Sequence, residues 1–176
     1  MLTAIEIENF KGIGRPVRIE LRPLTLLFGP NSAGKSSILH ALQYAEEILE
    51  RTNLNPDRTL RGGAAVDLGS YRDLVHRHDL DRTVRLRFDF TPAAARLPDF
   101  PGWPDPQLDG FNDGLADAIG SAWVECQLGW SRTWEYPWVT GYSVGANGAL
   151  IASIRSDVGQ VKAWLHAVNP SHPLVQ

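Results

Sequence analysis

The run from Gly29 to Ser36 carries the clearest chemical signature in the sequence. It reads Gly-Pro-Asn-Ser-Ala-Gly-Lys-Ser and fits the pattern G-x-x-x-x-G-K-[ST] at every fixed position. A loop of this pattern aims backbone N–H groups at phosphate oxygens, and its glycines allow the bend that this requires. Lys35 would place a positive charge between the β- and γ-phosphates, and Ser36 would offer its hydroxyl to Mg²⁺. The pattern therefore predicts a binding site for ATP and Mg²⁺.

The predicted site covers the whole loop and the first residues of the helix that follows it. We expect Lys35 to act in catalysis as well as in binding, and Ser36 to be the metal ligand. The nucleotide contacts are predicted for Gly29, Pro30, Asn31, Ser32, Ala33, Gly34, Lys35, Ser36 and Ser37. The amino terminus of the helix would add its dipole to the attraction for the anion.

Such a loop needs a strand before it and a helix after it. Residues 24–28, Leu-Thr-Leu-Leu-Phe, form a continuous apolar run before the loop, which predicts a strand buried on both faces. After the loop, apolar residues from Ile38 to Leu49 recur at helical spacing. The sequence therefore predicts both elements that the loop requires, with the helix ending within 53–63.

Alternating apolar and polar residues predict the remaining strands. Residues 2–9 and 17–21 are expected to form an antiparallel hairpin, and residues 84–90 a half-exposed strand. Further strands are predicted at 121–130, 134–144 and 149–154, with Asn147-Gly148 as a hairpin turn and 158–168 as a short helix.

Composition excludes several classes of protein. The chain has 176 residues, 43% hydrophobic and 21% charged, which is typical of a globular protein and argues against disorder. It has no apolar run of the roughly 20 residues that cross a membrane, and its first residues do not resemble a leader peptide, so we expect a cytoplasmic protein with no membrane partner. The single cysteine, Cys126, excludes a disulfide framework and a cysteine-rich zinc site within the chain.

The predicted organisation has three parts. Residues 1–90 form a P-loop ATPase lobe, 91–120 a Pro/Gly-rich insertion, and 121–176 an antiparallel β subdomain with a truncated end. The expected fold class is α/β, the amino-terminal lobe of a P-loop NTPase, incomplete, with an antiparallel β subdomain.

Three stretches carry a resemblance to a known family. Residues 5–12, Ile-Glu-Ile-Glu-Asn-Phe-Lys-Gly, and residues 26–37 together resemble the start of ABC-type ATPases. The most similar branch is the SMC, RecF and OLD-like group, which includes AAA-family ATPases of anti-phage defence. The resemblance implies that Lys11 reaches the phosphates of the nucleotide. Residues 66–76 resemble the segment that follows the first helix in OLD-like ATPases, but they lack the glutamine of the Q-loop.

The resemblance also implies motifs that the sequence does not show. Hydrolysis needs a carboxylate on a neighbouring apolar strand to hold Mg²⁺. The nearest candidate, Asp89, lies in a stretch where apolar residues alternate with arginine, which indicates an exposed antiparallel strand, so we reject it. The ABC signature motif has no counterpart either. We therefore interpret the chain as the ATP-binding amino-terminal portion of such an ATPase, in genome maintenance, including DNA repair, or in antiviral defence. Its partner would be a second copy or a carboxy-terminal ATPase half, and alone it would hydrolyse little ATP.

Two other functions stay open. One is a small P-loop kinase acting on a nucleotide or metabolite, and the other is a non-catalytic module whose interactions depend on nucleotide.

Two further observations on candidate sites are weaker. His76, His78, Asp79 and Asp81 lie close in sequence, for which a solvated loop is favoured over a metal site. Arginines are frequent between residues 51 and 87, which leaves DNA open as a partner, but interleaved aspartates favour an ordinary mixed surface.

Overall fold

The computed structural model of the chain describes residues 1–30, 34–51, 68–91, 119–159 and 162–175. Seven strands form one antiparallel sheet in the order β2-β1-β3-β4-β5-β6-β7. The strands are β1 (Leu2–Glu8), β2 (Val17–Glu20), β3 (Val84–Phe90), β4 (Ala122–Ser131), β5 (Tyr136–Ala146), β6 (Ala149–Ser156) and β7 (Ala163–Val168). The helices are α1 (Lys35–Arg51), α2 (Tyr71–Leu74) and a 3₁₀ turn at His76–His78.

The alternating pattern of the strands separates a core face from a polar face. On β3, Val84, Leu86 and Phe88 are buried, while Arg85 and Arg87 lie on the opposite face. The buried row belongs to one hydrophobic core that also contains the apolar side of α1. The core includes Ile5, Ile7, Phe10, Ala41, Tyr44, Ala45, Ile48, Leu68, Tyr71, Leu74, Val75, Val84, Leu86, Phe88, Cys126 and Leu128. The helix that carries Lys35 is thus held against the sheet.

Ion pairs cover the polar face of the sheet. Arg85 contacts three carboxylates, those of Glu6, Glu8 and Glu125, with 2.9 Å to Glu8 and 3.0 Å to Glu125. The guanidinium of Arg87 lies 4.1 Å from the centre of the Trp123 ring. These side chains are partly exposed to water, so each pair contributes on the order of 0–1 kcal/mol to stability.

Most of the predicted elements are confirmed. β1 and β2 pair antiparallel, with Ile5 opposite Ile19, as the two alternating stretches predict. β3 and α1 form where the sequence predicts them. The hairpin turn between β5 and β6 is also confirmed, because Asn147 and Gly148 both have positive φ, 50° and 81°, the requirement of a two-residue type I′ turn.

The predicted helix at residues 158–168 is wrong. Residues 163–168 form β7, which pairs antiparallel with β6, Trp164 lying opposite Arg155. A short apolar run fits a helix and a strand about equally well. The outer edge of β6 supplies backbone hydrogen bonds to this run, and this pairing stabilises a strand rather than a helix.

The predicted buried strand at residues 24–28 is also wrong. These residues are in no strand, and Leu24 is 77% and Phe28 84% exposed. A strand buried on both faces needs a hydrogen-bonded neighbour on each side and a covering layer on each face. The described residues supply neither, so the apolar run lies at the surface.

The two corrections change the description of the fold class. The described residues form a mostly antiparallel sheet in which α1 is the only helix longer than four residues, rather than a clear α/β arrangement. Strands from the predicted lobe and from the predicted β subdomain lie in the same sheet, since β3 pairs with β4. The predicted end of α1 within 53–63 and nearly all of the predicted insertion lie outside the described residues. In the part of the chain that is described, no helix is long and apolar enough to cross a membrane.

Candidate phosphate-binding site

The loop that precedes α1 is described at both ends, at Gly29–Pro30 and at Gly34–Ser36, whereas Asn31, Ser32 and Ala33 lie outside the described residues. Gly34 has a φ of 87°, and Gly29 has a φ of 150°. Both values favour glycine over residues with a Cβ atom. Among the described residues, no atom lies within 4 Å of a Cβ built on Gly34, so it is the backbone conformation that favours a glycine there.

Lys35 is the first residue of α1, and its side chain folds back over the loop. The Nζ atom donates hydrogen bonds to the carbonyl oxygens of Gly29 and Pro30, both at 2.7 Å. These bonds hold the ammonium group at the start of the loop. The Lys35 side chain thereby links the end of the predicted phosphate-binding loop to its beginning.

The first turn of α1 suits an anion. It contains no acidic residue, so no carboxylate of this turn opposes the binding of an anion at the partly positive helix amino terminus. Ser36 is exposed and can present its hydroxyl to a cation, whereas Ser37 is 8% exposed and donates its backbone N–H to Gly34 at 3.0 Å. Of the two serines, Ser36 therefore has the access that a metal ligand needs.

Lys11 lies in a tight turn between β1 and β2, beside α1. Burial and then the positive charge of Lys11 lower the pKa of His40, a residue of α1. The Nδ1 atom of His40 is buried and has no hydrogen-bond partner in the described part of the chain. The Nζ atom of Lys11 lies 3.5 Å from the carbonyl oxygen of Leu68. The positive charge of Lys11 therefore lies near enough to α1 to act on His40.

The segment from Leu68 to His78 packs against the turn that contains Lys11. The backbone N–H of Lys11 donates to Leu74, 2.6 Å away, and the backbone N–H of His76 donates to Asn9, 2.9 Å away. The hydroxyl of Tyr71 donates to the carbonyl oxygen of Leu128 at 2.8 Å, which ties the segment to β4. The family resemblance of residues 66–76 was the only sequence signal for this segment, and it did not indicate these contacts.

The four residues of the His/Asp cluster have separate partners. His76 contacts Lys11, His78 contacts the carbonyl oxygen of Arg72, and Asp79 and Asp81 pair with Arg82 and Arg132 respectively. In the described ranges, no three His, Cys, Asp or Glu side chains are grouped so that they could hold a metal ion.

Asp89, the rejected metal ligand, lies on the polar face of β3. Its carboxylate pairs with Arg18 and, at 3.0 Å, with Arg87. Both ion pairs lie on the face of the sheet opposite the core and α1, so the Asp89 carboxylate is bound by arginines on that face.

Comparison with protein families identifies a match over the amino-terminal part of the chain. Residues 1–60 match the model of a family described as AAA ATPase domain, about a third of the chain. Comparison with curated proteins gives no match. The matched range contains the loop, Lys35 and the turn with Lys11. Together, the loop geometry and the match support an ATP-binding P-loop ATPase of the AAA type for this part of the chain.

Proposed function

We propose that the chain is the ATP-binding amino-terminal portion of an ABC-type ATPase of the SMC, RecF and OLD-like group. The observation that carries the proposal is the Lys35 ammonium group, bonded across the glycine-flanked loop to Gly29 and Pro30 at the start of α1. A bound nucleotide would exchange these carbonyl contacts for its β- and γ-phosphates, with which an ammonium group makes stronger, charge-assisted hydrogen bonds.

The residues around Lys35 would share the remaining roles. Residues 29–37 would surround the phosphates with backbone N–H groups, and Ser36 would bind Mg²⁺ through its hydroxyl. Lys11 would add a second positive charge beside α1. A magnesium ion held by Ser36 would neutralise negative charge that develops on the phosphates during hydrolysis.

A second ATPase half would complete the site. The exposed run Leu24–Phe28 supports this, because Leu24, Leu26 and Phe28 are 77%, 63% and 84% exposed. Five consecutive residues of which four are large and apolar are typical of a strand with neighbours on both sides. A second copy or a carboxy-terminal half would supply those neighbours, together with the catalytic carboxylate. We assign the complete assembly to genome maintenance or anti-phage defence, with DNA as its candidate polymer.

The test is Mg²⁺-ATP binding and turnover by the full chain, compared with Lys35→Ala. We expect Lys35→Ala to weaken ATP affinity by at least about 100-fold, because it removes a charge-assisted contact to two phosphates. Lys162→Ala is the matched control, since Lys162 is an exposed lysine just before β7. It should leave affinity unchanged.

The outcomes separate the functions that the sequence leaves open. Equal ATP affinity in Lys35→Ala and the unsubstituted chain contradicts the proposal. Fast, Lys35-dependent turnover by the chain alone contradicts the need for a second half, and transfer of phosphate to a small acceptor would favour a kinase. ATP-dependent association that never leads to turnover, even with a candidate second half, would favour a non-catalytic module.

A further inference from the structure

The turn that carries Lys11 has a backbone conformation that must be held in place. Phe10 and Ile13 exchange two backbone hydrogen bonds of 2.8 Å, so that Lys11 and Gly12 form the tip of the turn. Lys11 has a φ of 49°, in the left-handed region that non-glycine residues rarely adopt. Such a conformation persists only where surrounding contacts hold it, and it is most frequent at functional sites.

Contacts to the segment from Leu68 to His78 hold both sides of the Lys11 peptide unit. The Lys11 N–H donates to the carbonyl oxygen of Leu74 at 2.6 Å. The Lys11 carbonyl oxygen lies 2.8 Å from Nδ1 of His76, which must donate because a carbonyl oxygen can only accept. Phe10 forms an isolated bridge with Val75, and its ring stacks on Tyr44 of α1 with centroids 6.4 Å apart. The turn is thus fixed between this segment and the helix that begins with Lys35.

Gly14 provides the space for the His76 ring. A Cβ atom built on Gly14 would lie 2.4 Å from Nε2 and 2.7 Å from Cδ2 of the imidazole, well inside van der Waals contact. Gly12, at the tip of the same turn, has no atom of the described residues within 4 Å of its Cβ position. An alanine at position 14 would therefore collide with His76, whereas an alanine at position 12 would not, and this difference can be tested.

We propose that His76 is a positioning residue that holds the Lys11 turn so that the Lys11 ammonium group faces the phosphates of ATP. The inference rests on the proposed function, because it uses Lys11 as a phosphate contact. His76 itself does not touch the nucleotide. Its imidazole donates to the backbone of Lys11, fills the space above Gly14 and thereby selects the left-handed conformation of the turn.

A double-mutant cycle on the full chain tests this role. His76→Ala should weaken Mg²⁺-ATP affinity by about tenfold when Lys11 is present. In a Lys11→Met background, His76→Ala should change the affinity by less than about twofold, because the contact that His76 positions is already lost. His76→Asn should recover most of the affinity, since its amide nitrogen occupies the place of Nδ1 and can donate to the same carbonyl oxygen.

The glycines give a second, independent perturbation of the same contact. Gly14→Ala should displace the imidazole and weaken ATP affinity as much as His76→Ala does. Gly12→Ala is the matched control and should leave the affinity within about twofold of the unsubstituted chain, since the added Cβ would contact neither His76 nor any other residue that the structure describes. Equal losses in the two alanine variants would show that any change in the turn has the same effect, and would overturn the role of His76.

Two readouts separate the failure of this inference from the failure of the proposed function. If ATP affinity depends on Lys35 and Lys11 but His76→Ala lowers it equally with and without Lys11, His76 only stabilises the fold and the inference is overturned. If the chain binds no ATP, the proposed function fails, and the phosphate role of Lys11 fails with it. In that case the hydrogen-exchange rate of the Lys11 backbone amide still measures how firmly the turn is held. His76→Ala should increase this rate, and an unchanged rate would overturn the positioning role as well.

Discussion

At the residue scale, Cys126 shows how burial changes the chemistry of a single side chain. The thiol lies in the core, 3% exposed, and burial, followed by the charge of Glu125, raises its pKa from 9.0 to about 12. We expect iodoacetamide at about pH 8 to leave the folded chain unmodified, because the thiolate is the reactive form. The same reagent should label the chain fully in denaturant. Because Cys126 is the only cysteine, mass spectrometry reads the extent of unfolding directly.

The same pKa shift predicts how stability depends on pH. The folded state keeps Cys126 protonated up to about pH 12, whereas the unfolded thiol ionises near its ordinary pKa of 9.0. Ionisation of the unfolded chain therefore lowers the free energy of unfolding as pH rises above about 9. Cys126→Ala should remove this contribution, and rapid labelling of the native chain at about pH 8 would contradict the buried placement.

At the scale of elements, the turn between β5 and β6 requires a glycine at position 148 because of its backbone conformation. Gly148 has a φ of 81°, and no atom in the described part of the chain lies within 4 Å of its Cβ position. We expect Gly148→Ala to lower the free energy of unfolding by about 1 kcal/mol in urea denaturation, because an L-residue is strained in this conformation. Gly120→Ala is the control and should change little: its Cβ would meet Asn147 at an ordinary 3.6 Å. Equal losses in both variants would contradict the explanation.

Elements specified by local pattern could be predicted, and those that depend on distant neighbours could not. β1 and β3 alternate apolar and charged residues, and α1 has helical spacing. The local sequence pattern of each segment therefore predicts its secondary structure. Residues 24–28 and 163–168 are short apolar runs whose structure depends on which sheet edge is within reach. The same reasoning applies to the site. The pattern around Lys35 identifies it locally, whereas the contact between His76 and Lys11 joins residues 65 positions apart and has no local signal.

At the scale of the whole molecule, the exposed run Leu24–Phe28 lies next to the phosphate loop rather than in the sheet. Leu24 and Leu26 are 77% and 63% exposed, so they contribute little to the stability of the chain by itself. Large apolar side chains grouped at a surface mark a site of association. We therefore expect the purified chain to self-associate as its concentration rises, and we expect serine at both positions to weaken that association.

Sedimentation velocity with and without Mg²⁺-ATP is the measurement for this last prediction. The Leu24→Ser/Leu26→Ser variant should keep the melting temperature of the unsubstituted chain, because neither side chain is in the core. Its weight-average sedimentation coefficient should rise less with concentration. Leu86→Ser provides the contrast: Leu86 is fully buried on β3, so its substitution should lower the melting temperature strongly. A double variant that associates as much as the unsubstituted chain would place the contact surface elsewhere. It would also remove the main structural support for a second ATPase half that pairs with residues 24–28.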